Sequence, residues 1–190
     1  KIIDLPVSNH NAIFSPNGSE IWTSQMQEMG KVLVYDATTY ALKNTINVKM
    51  DPAEVTFSSD GSMAFVANGG SDTVTVISVS DKMIKGQIKV GDDPVGAWTG
   101  ADGNMYVDNE AGQSITVIKV SDMSVIATIA LGFMPGIAAY NNVMSELWVT
   151  DPDNGKTHWY IKSGTTYTHS GEFVTGAGAH VIAFSADGMT

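Results

Sequence analysis

The chain has no cysteine. That absence excludes disulfides, zinc–thiolate sites, iron–sulfur clusters and the CxxCH attachment of c-type haem from these residues. Basic residues are scarce as well: 10 lysines and arginines stand against 20 aspartates and glutamates, a formal net charge of −10. Phosphate backbones are held by clustered Lys and Arg, so no nucleic-acid partner is expected. No apolar run approaches the ~18 residues of a membrane-spanning helix, and no membrane span is expected. A helical hydrophobic period, a nucleophile elbow, a phosphate loop and a His-Glu-x-x-His pair are missing too. The chain opens on Lys1 inside a strand-like run, with no signal peptide, and closes on Gly188-Met189-Thr190 just past a turn, so both ends read as cut.

What the sequence does have is turns. Its 19 glycines and 6 prolines accompany 43% apolar residues, a composition that suits many short strands in a globular chain. Asn-Gly or Asp-Gly between apolar runs is the strongest short-range hairpin signal, because both turn positions need positive φ. The signal occurs at Asn17-Gly18, Asp60-Gly61 and Asp102-Gly103, about 42 residues apart, and again two periods later at Asp187-Gly188. At the skipped place the chain reads Tyr140-Asn141-Asn142-Val143-Met144, where asparagines stand without the glycine.

Each turn is followed by a strand with an aromatic at a fixed place: Trp22, Phe65, Tyr106 and Trp148. An alternating strand comes next, as in Thr73-Val74-Thr75-Val76-Ile77 and Ser114-Ile115-Thr116-Val117-Ile118. A Ser-Asp turn (Ser80-Asp81, Ser121-Asp122) then leads to a fourth strand such as Val125–Ile129, and Pro52, Pro94 and Pro135 mark the return to the next repeat. Four short strands per repeat make one blade of an all-β propeller of four-stranded antiparallel sheets. Such a sheet cannot bury both faces alone, so blades must stack, and the four aromatics are expected between neighbouring blades. The expected organisation is a single partial domain over 1–190. Its repeats lie at approximately 11–52, 53–94, 95–135 and 136–179, with partial blades at 1–10 and 180–190. A ring of roughly seven blades would need about 300 residues, so about four and a half blades of it are present.

The stretches Phe65-Val66-Ala67-Asn68, Tyr106-Val107-Asp108-Asn109 and Trp148-Val149-Thr150-Asp151 resemble the Tyr-Val-Thr-Asn signature of the YVTN β-propeller repeats. Ala12 to Gly18 and Val55 to Gly61 resemble that family's strand-and-turn segment. The resemblance covers nearly the whole chain. It implies an exported protein of the periplasm or cell surface, surface-layer-like and usually seven-bladed. The fourth repeat departs from the pattern at its turn and at Thr157-His158-Trp159-Tyr160, where an irregular blade is expected.

Chemistry in a propeller is expected at the mouth of the central channel, where an outer strand feeds the next inner strand. The corresponding mouth positions hold His10, Ala53, Val95, Gly136 and His180. In a seven-bladed ring His10 and His180 would stand roughly 205° apart around the axis. Two imidazoles facing one channel could ligate a metal or a haem, or work as acid and base; the plainer alternative is that each caps a loop. Asp51, Asp92 and Asp93 could form an acidic funnel that attracts cations, although residues of this type beside Pro are also ordinary turn formers. Glu54 stands out because it falls within an inner strand otherwise filled by small or apolar residues. Asp151-Pro152-Asp153-Asn154-Gly155 reads as a turn, since it lacks the spacing of a calcium loop. Asn17-Gly18-Ser19 is formally a glycosylation sequon but coincides with the hairpin turn. His158 and His169 fall in or near outer strands and are expected to be solvated.

These readings favour a non-catalytic exported propeller that binds a protein partner or small ligand at its channel, as a scaffold or binding module within a larger envelope or periplasmic assembly. The alternatives are a redox-linked propeller carrying haem or copper, similar to those of nitrite or nitrous oxide reductase, and a lactonase-like hydrolase using Glu54. No cofactor is implied by these residues alone.

Overall fold

The computed structural model of the protein describes residue 5, residues 7–185 and residues 187–188. Among the described residues, sixteen strands form four separate antiparallel sheets, each with its strands in sequential order. Blade 1 comprises β1 (Ala12–Phe14), β2 (Glu20–Gln25), β3 (Lys31–Asp36) and β4 (Leu42–Asn47); blade 2 comprises β5 (Pro52–Phe57), β6 (Met63–Asn68), β7 (Thr73–Ser78) and β8 (Ile84–Lys89). Blade 3 comprises β9 (Pro94–Thr99), β10 (Asn104–Asn109), β11 (Ser114–Lys119) and β12 (Ser124–Ala130). Blade 4 comprises β13 (Ala138–Asn141), β14 (Glu146–Asp151), β15 (Lys156–Ser163) and β16 (Thr166–Val174). The chain is a β-propeller in which about four blades are formed. A single turn of 3-10 helix at Gly69–Ser71 interrupts the strands, and no helix among the described residues is long and apolar enough to cross a membrane.

The turns do what their residues require. Gly18, Gly61 and Gly103 take φ of 70°, 69° and 80°, the left-handed conformation that an L side chain resists. In blade 4, which lacks this glycine, Asn141 Oδ1 accepts the N–H groups of Val143 and Met144, and Ser145 enters the left-handed region at φ 57°. An Asx-type turn thus replaces the glycine turn and the hairpin survives. The expected strands at 1–9 and 180–190 fall partly on residues outside those described. The described residues there form no strand, although Phe184 packs edge-on against Trp148 with ring centroids 5.5 Å apart.

Stacking follows the repeat. Trp22 of blade 1 is fully buried with Val55, Phe57, Ala64, Val66 and Ile77 of blade 2. Phe65 joins Ala97, Met105, Val107 and Ile118 of blade 3, and Tyr106 joins Ala138, Leu147, Val149 and Tyr160 of blade 4. Each aromatic therefore seals the seam to the following blade. Trp148, in the last blade, is only partly buried and lines an open apolar cavity with Phe173, Ile182 and Phe184.

Two seams carry buried ion pairs. Glu20 meets Lys43 of its own blade at 2.9 Å and Lys82 of blade 2 at 2.8 Å, and accepts the Trp22 indole N–H at 3.1 Å. Burial alone would push the Glu20 carboxyl up, but the two ammonium groups outweigh it and hold it below its ordinary range. Asp102 of blade 3 pairs with Lys162 of blade 4 and accepts the Tyr106 hydroxyl at 2.8 Å. An ion pair and an aromatic plug thus coincide at the same two seams.

Candidate functional site

The inner strands β5 and β9 share an irregularity. Along β5 the register slips between Pro52 and Val55, so one extra residue is inserted at Ala53-Glu54. Along β9 the pairing jumps from Pro94 to Gly96, inserting Val95. Such bulges bend a strand and re-aim its side chains. Asn11 pins blade 1 to this segment: its amide donates to the Val55 carbonyl at 2.9 Å and accepts the Val55 N–H at 3.1 Å.

Glu54, aimed by the bulge, lies with its Oε1 3.2 Å from His10 Nδ1; the side chains are 15% and 41% exposed respectively. Burial pushes the Glu54 carboxyl above its ordinary range, and charge on His10 and on His180 works in the opposite direction. The structure therefore brings His10 and Glu54 into contact and puts His180, from the far end of the described chain, within electrostatic reach of the same carboxyl. The His180 backbone carbonyl also accepts the Thr150 hydroxyl at 2.8 Å, which ties its loop to β14.

The acids beside the prolines are less free. Asp51 and Asp93 adopt left-handed φ of 49° and 54°, and their carbonyls accept the Gly69 and Glu110 N–H groups at 3.0 and 2.9 Å. The Asp92 carbonyl accepts Gly112 N–H at 3.0 Å. Their backbones therefore stitch each return loop to a turn of an adjoining blade, while the exposed carboxylates add negative charge. Burial raises the Glu110 carboxyl above its ordinary range, the charges of Asp93 and Asp153 add to this, and those of His180 and His10 oppose it.

Glu110 was not singled out in the sequence, because it follows the YVTN-like strand in a turn where charge is commonplace. Asp108 was hidden within that strand. It is fully buried on β10, accepts the Gly96 N–H at 3.2 Å and the Trp98 indole N–H at 2.5 Å, and burial pushes its carboxyl well above the usual range.

The turn at Asp151–Gly155 is a turn, as expected, with the Asp151 carboxylate accepting from Asn154. The sequon is likewise a turn, Asn17 Oδ1 accepting the Ser19 N–H at 3.0 Å. The expectation that His158 is solvated is overturned: only 8% of the residue is exposed, because β15 turns it inward against Phe133, whose ring stacks on the imidazole with centroids 4.4 Å apart. His169 is exposed. With Glu172 these two histidines form a three-residue group whose ligand atoms lie within 4.8 Å of one another.

No protein-family model matches the chain, and no curated protein matches it. Solved structures do. The chain superimposes on hydrazine synthase of Kuenenia stuttgartiensis with TM-score 0.78 at 23% identity, covering 92% of this chain and 51% of that one. It matches a periplasmic gluconolactonase of Pseudomonas aeruginosa with TM-score 0.74 at 14% identity, covering 90% and 55%. A protein from Lactobacillus plantarum matches with TM-score 0.78 at 15% identity, covering 93% and 61%. The chain thus spans roughly half the length of these structures, and at such identities the likeness is one of fold.

Proposed function

We propose that the chain belongs to an exported propeller protein of the periplasm or cell surface, and that it acts as a binding module which takes a small cationic ligand at its channel mouth. One observation carries this reading. Glu54 is held half-buried by a bulge in an inner strand otherwise filled by small or apolar residues, and Glu110, on which Asp93 and Asp153 act, shares with it the influence of His10 and His180. The half-buried carboxyls of Glu54 and Glu110, with the exposed Asp93 and Asp153 adding charge in a chain of net charge −10, attract cations. The repeat resemblance and the periplasmic gluconolactonase among the matched folds support the exported location.

A second reading has its own support. A carboxyl raised by burial and in contact with an imidazole is an acid–base pair, and a lactonase-like hydrolase would use it to activate water against a lactone carbonyl. Calorimetric titration with putrescine at about pH 8, where ordinary carboxylates are ionised, distinguishes the two. The binding reading predicts saturable binding that Glu54→Gln weakens about tenfold, ~1.4 kcal/mol. Absence of binding, or equal affinity in the variant, contradicts it. Hydrolysis of glucono-δ-lactone that is lost in Glu54→Gln would put the hydrolase reading in its place.

A further inference from the structure

We propose that the outer hairpin of blade 4 is a divalent transition-metal site, with His158 Nδ1, His169 Nε2 and Glu172 Oε2 as ligands and Asp151 orienting His158. The site is distinct from the channel mouth and shares no residue with it.

The geometry fits an ion. His158 Nδ1 lies 3.2 Å from His169 Nε2 and 3.4 Å from Glu172 Oε2. A tetrahedral Zn²⁺ with bonds of about 2.0–2.1 Å to nitrogen and oxygen holds its ligand atoms about 3.3 Å apart. The two separations are edges of such a tetrahedron. Three protein ligands leave the fourth position to water or an exogenous group, and His169 lies along an open groove between β12 and β16, which gives access.

The chemistry of the surrounding groups points the same way. His158 Nε2 lies 3.4 Å from Asp151 Oδ2, and Asp151 is 2% exposed. A carboxylate can only accept there, so the proton is drawn to Nε2 and the Nδ1 lone pair is turned toward His169 and Glu172. Phe133 fixes the plane of the ring. Lys156 engages Oε1 of Glu172 at 2.5 Å, which orients the carboxylate and leaves Oε2 to the site.

The backbone brings the three side chains together. In a regular strand residues 169 and 172 point to opposite faces, being an odd number apart. The register shift opposite Trp159-Tyr160 leaves Ser170 unpaired, so that His158 faces Glu172 while Tyr160 faces His169, and all three ligands reach one face. The same bulge recurs in β4, β8 and β12. Measured from it, the place of His158 is taken in the other blades by Leu33, Thr75 and Thr116. That of His169 is taken by Leu42, Ile84 and Val125, and that of Glu172 by Thr45, Gln87 and Thr128. Only blade 4 has a histidine or a carboxylate at any of the three places, and it has one at all three. The residue that contacts the His158 position changes in step. In blades 2 and 3 an asparagine amide donates to a threonine hydroxyl, Asn68 to Thr75 at 3.1 Å and Asn109 to Thr116 at 3.0 Å. In blade 4 donor and acceptor are exchanged, Asp151 accepting where asparagine donated and His158 standing where threonine accepted.

The test is calorimetric titration of chelator-stripped protein with ZnCl₂, with Co²⁺ absorption reporting coordination. One equivalent should bind, with the intense visible bands of tetrahedral Co²⁺. His169→Ala and Glu172→Gln, both at exposed positions, should lose stoichiometric binding while keeping the wild-type circular dichroism. Asp151→Asn should weaken binding about 10–100-fold, and His10→Ala should leave it unchanged. Failure of the wild type to bind Zn²⁺ overturns the proposal, as does binding that survives His169→Ala or disappears in His10→Ala.

Discussion

His10 Nδ1 and Glu54 Oε1 lie 3.2 Å apart although they belong to neighbouring blades. The contact exists because Asn11 fastens the start of β1 to Val55 while a bulge at Ala53-Glu54 turns the carboxylate toward it.

A pH dependence follows from the burial of Glu54 at this contact. Glu54's carboxyl is raised in the folded protein, chiefly by burial, so its contribution is fully present below the ordinary glutamate range and is lost as pH rises through the folded value. Glu54→Gln should therefore gain on the wild type as pH rises from about 4 to about 8. Urea midpoints at the two pH values check this; a variant that loses ground at the higher pH would contradict it.

The opposite sign is expected at Glu20. Its carboxyl is held low, so it stabilises the fold above the ordinary glutamate range, and that stability is lost as pH falls through the folded value. Glu20→Gln leaves Lys82 and Lys43 without their carboxylate in the seam between blades 1 and 2, and should cost about 2 kcal/mol at neutral pH. The deficit should shrink below about pH 4. A deficit that persists unchanged in acid would show that the charge is not what matters.

Packing at the seams should be graded along the chain. Phe65→Ala removes a fully buried ring between blades 2 and 3 and should cost about 3–5 kcal/mol. Trp148→Ala, at the partly open face of blade 4, should cost distinctly less despite the larger ring. Equal losses in chemical denaturation would contradict the assignment of Phe65 and Trp148 to closed and open seams.

The strands, the hairpin turns and three of the four seam aromatics were legible in the sequence, because glycine turns and alternating apolar residues act over a few positions. Glu54 was legible for the same reason, being a charge within an apolar strand. The metal-type cluster was not. His158 and His169 look like two scattered histidines until the bulge at Ser170 sets their register, and a bulge leaves no fixed residue type behind. Only the departure at Thr157–Tyr160 pointed to that hairpin. Glu110 was missed because its surroundings come from loops of other blades, which no local pattern encodes.

The claim that the channel mouth is the binding site is tested most directly by amide NMR shifts during a putrescine titration at about pH 8. Binding at the mouth predicts shifts that saturate together and centre on Asn9–Asn11, Ala53–Val55 and Asp93 with Glu110. Shifts centred on the β15–β16 hairpin, or none at all, would contradict it.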